Sequence, residues 1–237
     1  MKSPTVHFPI QGSGGMIPPA AGGTFMHFLP LPTAARVLSQ GGCVVYPTET
    51  YFALGALATH ARALARIVAI KARPATKPLP LLVGELAHME RVVPAGFPDG
   101  PLGEDFRDLA GRFWPGPLSL VVPGREELPG LVKDGQGRVS VRWTPHPTAA
   151  ALCRLAGGAI VATSANVSGR PPAAGAEELD PAVMAAADGL VTEGPRPGGG
   201  QASTVVGLLG GRRLVLFREG AVAVATLRAA GYEAGPA

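Results

Sequence analysis

The stretch Cys43-Val44-Val45-Tyr46-Pro47-Thr48-Glu49-Thr50-Tyr51-Phe52-Ala53-Leu54-Gly55 sets how the rest of the chain is read. Its first four residues form a short apolar run of the kind that fills a buried strand. The run then meets Pro47 and a Thr-Glu-Thr cluster, and turns apolar again at once. A plain turn favours Gly, Asn or Asp. A polar cluster at the carboxyl end of a core strand is instead where open α/β sheets hold ligands.

Outward from this stretch, strands alternate with helices. The pattern predicts a helix over 33–40 stopped by Gly41-Gly42, and a strand over 44–46. Thr59 is expected to cap a helix carrying Leu64, Ile67, Val68 and Lys71 at helical spacing. A strand over 79–83 and helices over 85–92 and 104–114 follow. Next come strands over 118–122 and 139–143, and a helix over 148–156 ended by Gly157-Gly158. A strand over 160–163 again runs into polar residues, and a strand pair (203–208, 213–217) and a helix (222–230) close the chain. Such alternation predicts a layered α/β fold with a largely buried sheet.

The chain has 237 residues, 46% of them hydrophobic and 16% charged, which suits one domain with a substantial core. The core must be built from Ala, Val and Leu, because aromatics are few. The first 25 residues are rich in Gly and Pro and lack the basic start and apolar block of a signal peptide. They read as a flexible extension, and residues 26–237 as the folded domain. A net charge of +4 favours anionic ligands such as nucleotides or RNA, yet no Lys/Arg-rich run marks a dedicated nucleic-acid arm. Cys43 and Cys153 both lie in apolar segments and read as core residues of a reducing cytoplasm. No stretch reaches the ~18 continuous apolar residues of a membrane span.

Polar clusters recur at element ends. Besides Thr48-Glu49-Thr50, the segment from Lys71 to Pro78 carries Lys71, Arg73 and Lys77 between stiffening prolines. Cations after a helix can simply complement its dipole. Lys beside Arg also suits a polyphosphate, with Arg as planar fork and Lys as compact charge. Thr163-Ser164-Ala165-Asn166 offers hydroxyls and an amide, for a capped turn or for phosphate oxygens and a base edge. Arg142 alternates with valines on a strand and is either a surface charge or a carboxylate clamp. The glycine-rich run 194–200 leads into Ser203-Thr204 without a Walker or GxGxxG pattern, a composition that reads as a flexible loop. No HExxH, CxxC or GxSxG occurs and the five histidines are scattered, so no metal site is expected.

Six segments occur in the order seen in threonylcarbamoyl-AMP synthases of the YrdC/TsaC type. They are GGCVVYPTETYFALG (41–55), IKARPATKPLPLLV (70–83), FWPGPLSLVV (113–122), VSVRWTPHP (139–147), IVATSANVSG (160–169) and ASTVV (202–206). The chain resembles that family from about residue 41 to residue 220. The resemblance implies an open, twisted mixed sheet flanked by helices around a basic cavity. It implies that L-threonine, bicarbonate and ATP with Mg²⁺ are joined into threonylcarbamoyl-adenylate with release of pyrophosphate. The product would serve tRNA modification, with tRNA and tRNA-modification proteins as partners and no membrane role.

The resemblance also implies residue roles. Lys71 and Arg73 would hold the ATP phosphates catalytically, and Lys77 would contact the nucleotide further along. Thr163, Ser164, Asn166 and Arg218 would bind phosphates or ribose. Thr48, Thr50 and Thr204 would approach the amino acid, and Arg142 would clamp its carboxylate. The chain departs from the family where Phe52 and Ala53 replace the usual Tyr and Gly, Leu82 stands at a position that is His in some synthases, and Ser119 replaces Thr. The segment 51–55 also resembles the YciO branch, which leaves open a nucleotide- or RNA-binding paralogue without turnover. Carbamoyl transfer, as in the related domain of hydrogenase-maturation proteins, is a third reading.

Overall fold

The computed structural model describes residues 27–97 and 99–236, so the stretch 1–25 lies outside the described residues. The elements are α1 (Leu31–Ser39), β1 (Val44–Pro47), β2 (Phe52–Gly55), α2 (Ala61–Ile70), β3 (Leu81–Val83), α3 (Gly100–Phe113), β4 (Leu118–Pro123) and β5 (Arg138–Trp143). They continue with α4 (Pro147–Ala156), β6 (Ile160–Val161), β7 (Thr163–Ser164), α5 (Pro181–Ala186), β8 (Thr204–Gly210), β9 (Arg213–Arg218), α6 (Val224–Ala229) and β10 (Glu233–Pro236). Seven strands form a mixed sheet in the order β10-β9-β8-β4-β5-β3-β6, and β1-β2-β7 form a small antiparallel sheet beside it.

Alternation along the strands builds two apolar layers. Leu81 and Val83 of β3 pack with Leu64 and Ile67 of α2 and with Phe106 and Leu109 of α3. Leu82, between them, packs on the other side with Leu38 of α1 and Leu152 of α4. Helices therefore flank the sheet on both faces, as the alternating pattern implies. Both cysteines are buried free thiols, and burial pushes Cys43 up to about 11 and Cys153 to about 12.

Local differences from the sequence reading have physical causes. Thr59 does not cap α2: His60 occupies the N-cap position and makes no side-chain capping bond. The segment 85–92 tightens into a 3₁₀ turn over Leu86–Arg91 rather than an α-helix. The run 160–163 is not one strand. It splits at Ala162, with Ile160–Val161 pairing to β3 and Thr163–Ser164 to β2. The segment after Thr-Glu-Thr is itself a strand, β2, so the cluster sits at the tip of a hairpin with Pro47 opposite Phe52. Phe52 and Ala53 are core residues on opposite faces of β2, Phe52 against the α2–α3 layer and Ala53 against the α1–α4 layer. Gly55 sits where a Cβ would come within 2.4 Å of the Val161 carbonyl oxygen and 2.6 Å of the Tyr46 ring. That close approach lets the Tyr46 hydroxyl donate to the Val161 carbonyl at 2.8 Å and locks the hairpin onto β6.

Candidate active site

At the C-terminal end of α2 the backbone turns sharply, with Ala72 at φ +47 between Lys71 and Arg73. A non-glycine residue in that region is strained, and such residues cluster at functional sites. The turn buries Lys71, leaving it 3% exposed. Its ammonium donates to the Ser164 carbonyl and to the Asn166 carbonyl at 2.7 Å. The Ser168 N–H in turn donates to the Lys71 carbonyl at 2.9 Å. Burial pushes Lys71 down to about 8, the neighbouring Arg73 charge adds to the push, and Asp180 opposes it. The Arg73 guanidinium folds back to donate to the carbonyls of Lys77 at 3.3 Å and Pro78 at 3.1 Å, which stiffens the loop. Burial lowers its pKa as well, but a guanidinium keeps its charge.

These groups surround a cavity of about 270 Å³ lined by Lys71, Arg73, Pro74, Lys77, Thr163, Ser164, Asn166, Ser168 and Gly169. Six of the residues singled out in the sequence thus line one space, although they come from two segments about 90 positions apart. The pairing of Ser164 with Ala53 delivers the second segment to the cavity wall. Below it Asp180 accepts from the Val167 N–H at 3.3 Å and pairs with Arg170, fixing the turn that carries Asn166. The lining offers three cations, hydroxyls and an amide, and no carboxylate. That chemistry suits a polyphosphate.

A second polar cluster lies on the α1–α4 side of the sheet. Arg142 is register partner to Leu82, which packs on that side. Val205 pairs with both Ser119 and Arg218. Residues paired across a ladder share a face. The Arg218 guanidinium donates to the Ser203 carbonyl at 2.8 Å, and its pKa is lowered by burial first and then by the Arg142 charge. Arg142 is not a solvated strand charge: its side chain is 10% exposed and forms an ion pair with Glu49. The other Glu49 oxygen accepts from the Thr144 hydroxyl at 3.2 Å.

Glu49 is the residue that sequence reasoning passed over. Its signal was partial: an arginine on a core strand calls for a counter-charge, and Glu49 is the one acid in the Thr-Glu-Thr cluster, but the sequence does not bring the two together. The threonines beside it do other work. The Thr48 hydroxyl closes the hairpin turn by donating to the Tyr51 carbonyl at 2.6 Å. Thr50 is half-buried, and its carbonyl accepts the Gly199 N–H at 2.8 Å. Thr204 is fully buried, and its hydroxyl donates to the Val222 carbonyl at 2.6 Å and accepts from the Gly220 and Val222 N–H groups. None of these three threonines lines the cavity.

The run 194–200, read as flexible, is tied down as a strap. Gly198 donates to the Glu49 carbonyl at 3.0 Å, and the Tyr51 hydroxyl donates to the Gly200 carbonyl at 2.8 Å. At its other end the Thr148 hydroxyl donates to the Glu193 carbonyl at 2.6 Å, and His146 meets the Pro195 carbonyl at 3.0 Å. The strap links the hairpin tip to the start of α4, and does not line the cationic cavity. Among the described residues no cluster of His, Cys, Asp and Glu could hold a metal ion. No helix there is long and apolar enough to cross a membrane.

A threonylcarbamoyl-AMP synthase from Halorhodospira halophila is 40% identical over 146 residues, 62% of this chain and 73% of that protein. A doubly substituted P. abyssi Sua5 superposes with a TM-score of 0.78 at 32% identity, over 87% of this chain and 61% of that one. P. abyssi Sua5 complexed with L-threonine superposes with a TM-score of 0.70 at 34% identity, over 80% of this chain and 54% of that one. This chain therefore spans little more than half the length of the P. abyssi protein. Residues 36–220 match the Sua5/YciO/YrdC family, which carries the description "Telomere recombination". With two of its motif segments lining one cationic cavity and most of its length inside that match, the chain belongs to the Sua5/YciO/YrdC family.

Proposed function

We propose that this chain is a threonylcarbamoyl-AMP synthase, joining L-threonine, bicarbonate and ATP into threonylcarbamoyl-adenylate and pyrophosphate. The observation that carries the reading is the cationic cavity, in which Lys71, Arg73 and Lys77 face the hydroxyls and amide of Thr163, Ser164 and Asn166. Relatives named for this activity and a relative crystallised with L-threonine support it. The paralogue reading rested on Phe52 and Ala53, and both are core packing residues that line no part of the cavity. Their departure from the family pattern removes no polar group from it.

In this reading ATP lies with its phosphates on Lys71 and Arg73, with Lys77, Thr163, Ser164 and Asn166 holding the remaining phosphate and ribose oxygens. Arg142 takes the threonine carboxylate, with Thr48 and Thr50 at the hairpin tip beside it, Thr204 buried behind, and Arg218 between the two halves. The threonine amine and bicarbonate give a carbamate and water. A carbamate oxygen then attacks the α-phosphorus, and the bond to pyrophosphate breaks. Charge moves onto the leaving pyrophosphate, and fixed cations lower that barrier without reorganising. Mg²⁺ would arrive as the counter-ion of ATP, because the lining has oxygen and nitrogen donors but no carboxylate to hold it independently. The adenylate would be consumed in tRNA modification with partner proteins, and the buried free thiols are compatible with a reducing cytoplasm. The test is pyrophosphate release from ATP: it should require both threonine and bicarbonate, and release independent of threonine would count against the synthase.

A further inference from the structure

We propose that Glu49 is a specificity residue that receives the α-ammonium of the amino-acid substrate, so that Arg142 and Glu49 together form a receptor for a zwitterion. The inference rests on the placement of threonine at Arg142. Glu49 occupies only one nitrogen of the Arg142 guanidinium, Nη1. A guanidinium has five donors in a planar fork, and among the described residues the rest of this fork makes no hydrogen bond. A second carboxylate can therefore bind Arg142 without evicting the first.

An α-amino acid carries its ammonium beside its carboxylate. Bound at Arg142, that ammonium lies beside one positive charge, and Arg142 is itself near enough to Arg218 for the two to repel. It needs an anion there, and Glu49 is the acid already paired with Arg142. Glu49 is also held for the task. The Thr144 hydroxyl fixes its second oxygen, the strap fixes its carbonyl through Gly198, and its side chain remains 22% exposed.

The test uses the full chain saturated with a non-hydrolysable ATP analogue. Calorimetry compares L-threonine with 3-hydroxybutyrate, which keeps the carboxylate and hydroxyl and lacks the amine. The natural chain should favour threonine strongly. Glu49→Gln should lose roughly 10- to 150-fold in threonine affinity, the range of a charge-assisted hydrogen bond, and bind 3-hydroxybutyrate within about threefold of the natural chain. Glu49→Asp, which keeps the charge one methylene shorter, should recover part of the preference, and it carries the test if Glu49→Gln fails to bind the analogue. Equal losses for both ligands would make Glu49 a support for Arg142 and overturn the proposal. Threonine binding that is unchanged or tighter in Glu49→Gln would make Glu49 a mere stand-in for substrate, and would also overturn it. If the natural chain binds the analogue but not threonine, the placement of the amino acid at Arg142 fails first, and this proposal with it.

Discussion

Lys71 carries a charge where water is scarce. In the folded chain it titrates near 8, below its ordinary 10.5, and burial is the main cause. Between these values the unfolded chain holds the proton and the folded chain does not, so this lysine adds stability as pH rises from about 8 to about 10.5. Phosphate oxygens reverse the burial effect by favouring the ammonium. Binding of ATP should therefore draw in a proton at pH 8 and above and almost none at pH 6. Calorimetry in buffers of different ionisation enthalpy measures that uptake, and Lys71→Arg should abolish it. Uptake that persists in the variant would place the titrating group elsewhere. Lys71→Ala or Arg73→Ala should slow turnover about a hundredfold, the cost of losing one stabiliser of developing charge of about 3 kcal/mol. Arg142→Lys should weaken threonine binding by roughly 30- to 150-fold and leave ATP affinity within a few-fold, because a point charge replaces a fork. Unchanged threonine affinity would remove Arg142 from the site.

The hairpin β1–β2 is the element on which the site turns. Its tip brings Glu49 to Arg142, its second strand pairs with the segment carrying Ser164, and Gly55 lets it approach β6. Gly55→Ala would drive a methyl group into a backbone carbonyl and should cost about 1–3 kcal/mol. A thermal melt reads this as a drop of several degrees, and an unchanged melting temperature would mean that the approach is not tight. The sequence reveals β1 and the polar cluster after it, because an apolar run followed by Thr-Glu-Thr contrasts sharply in composition. It conceals β2: the four residues Phe52–Gly55 are buried on both faces, and a short apolar run has no period that separates strand from helix or loop. The cavity residues are legible because Lys71, Arg73, Ser164 and Asn166 are chemically conspicuous in apolar surroundings. Glu49 escapes notice because its role depends on a partner 93 positions away. The strap 194–200 escapes because it is held through its own backbone groups, which its glycines and prolines do not advertise, by partners far away in the sequence.

At the scale of the molecule, the seven-stranded sheet and its two helical layers form a platform, and the small three-stranded sheet carries Ser164 to the cavity wall and the Glu49 turn to Arg142. The apolar layers described above are formed within residues 27–236. We propose that residues 1–25 are dispensable, since their Gly/Pro-rich composition offers no periodic apolar face to bury. A chain beginning at Met26 should melt within a few degrees of the full chain and bind ATP equally well. A large loss of either would mean that the stretch packs onto the domain.

The central claim is that the Lys71–Arg73 cavity and the Arg142 cluster are two halves of one site that build a mixed anhydride. Incubation with ATP, Mg²⁺, bicarbonate and radiolabelled threonine, followed by chromatography, tests it most directly. The account predicts a labelled adenylate that forms only with all three substrates, about a hundredfold more slowly in Lys71→Ala and, at sub-saturating threonine, roughly 30- to 150-fold more slowly in Arg142→Lys. Absence of a threonine-containing adenylate from the natural chain, under conditions where it binds ATP, would contradict it.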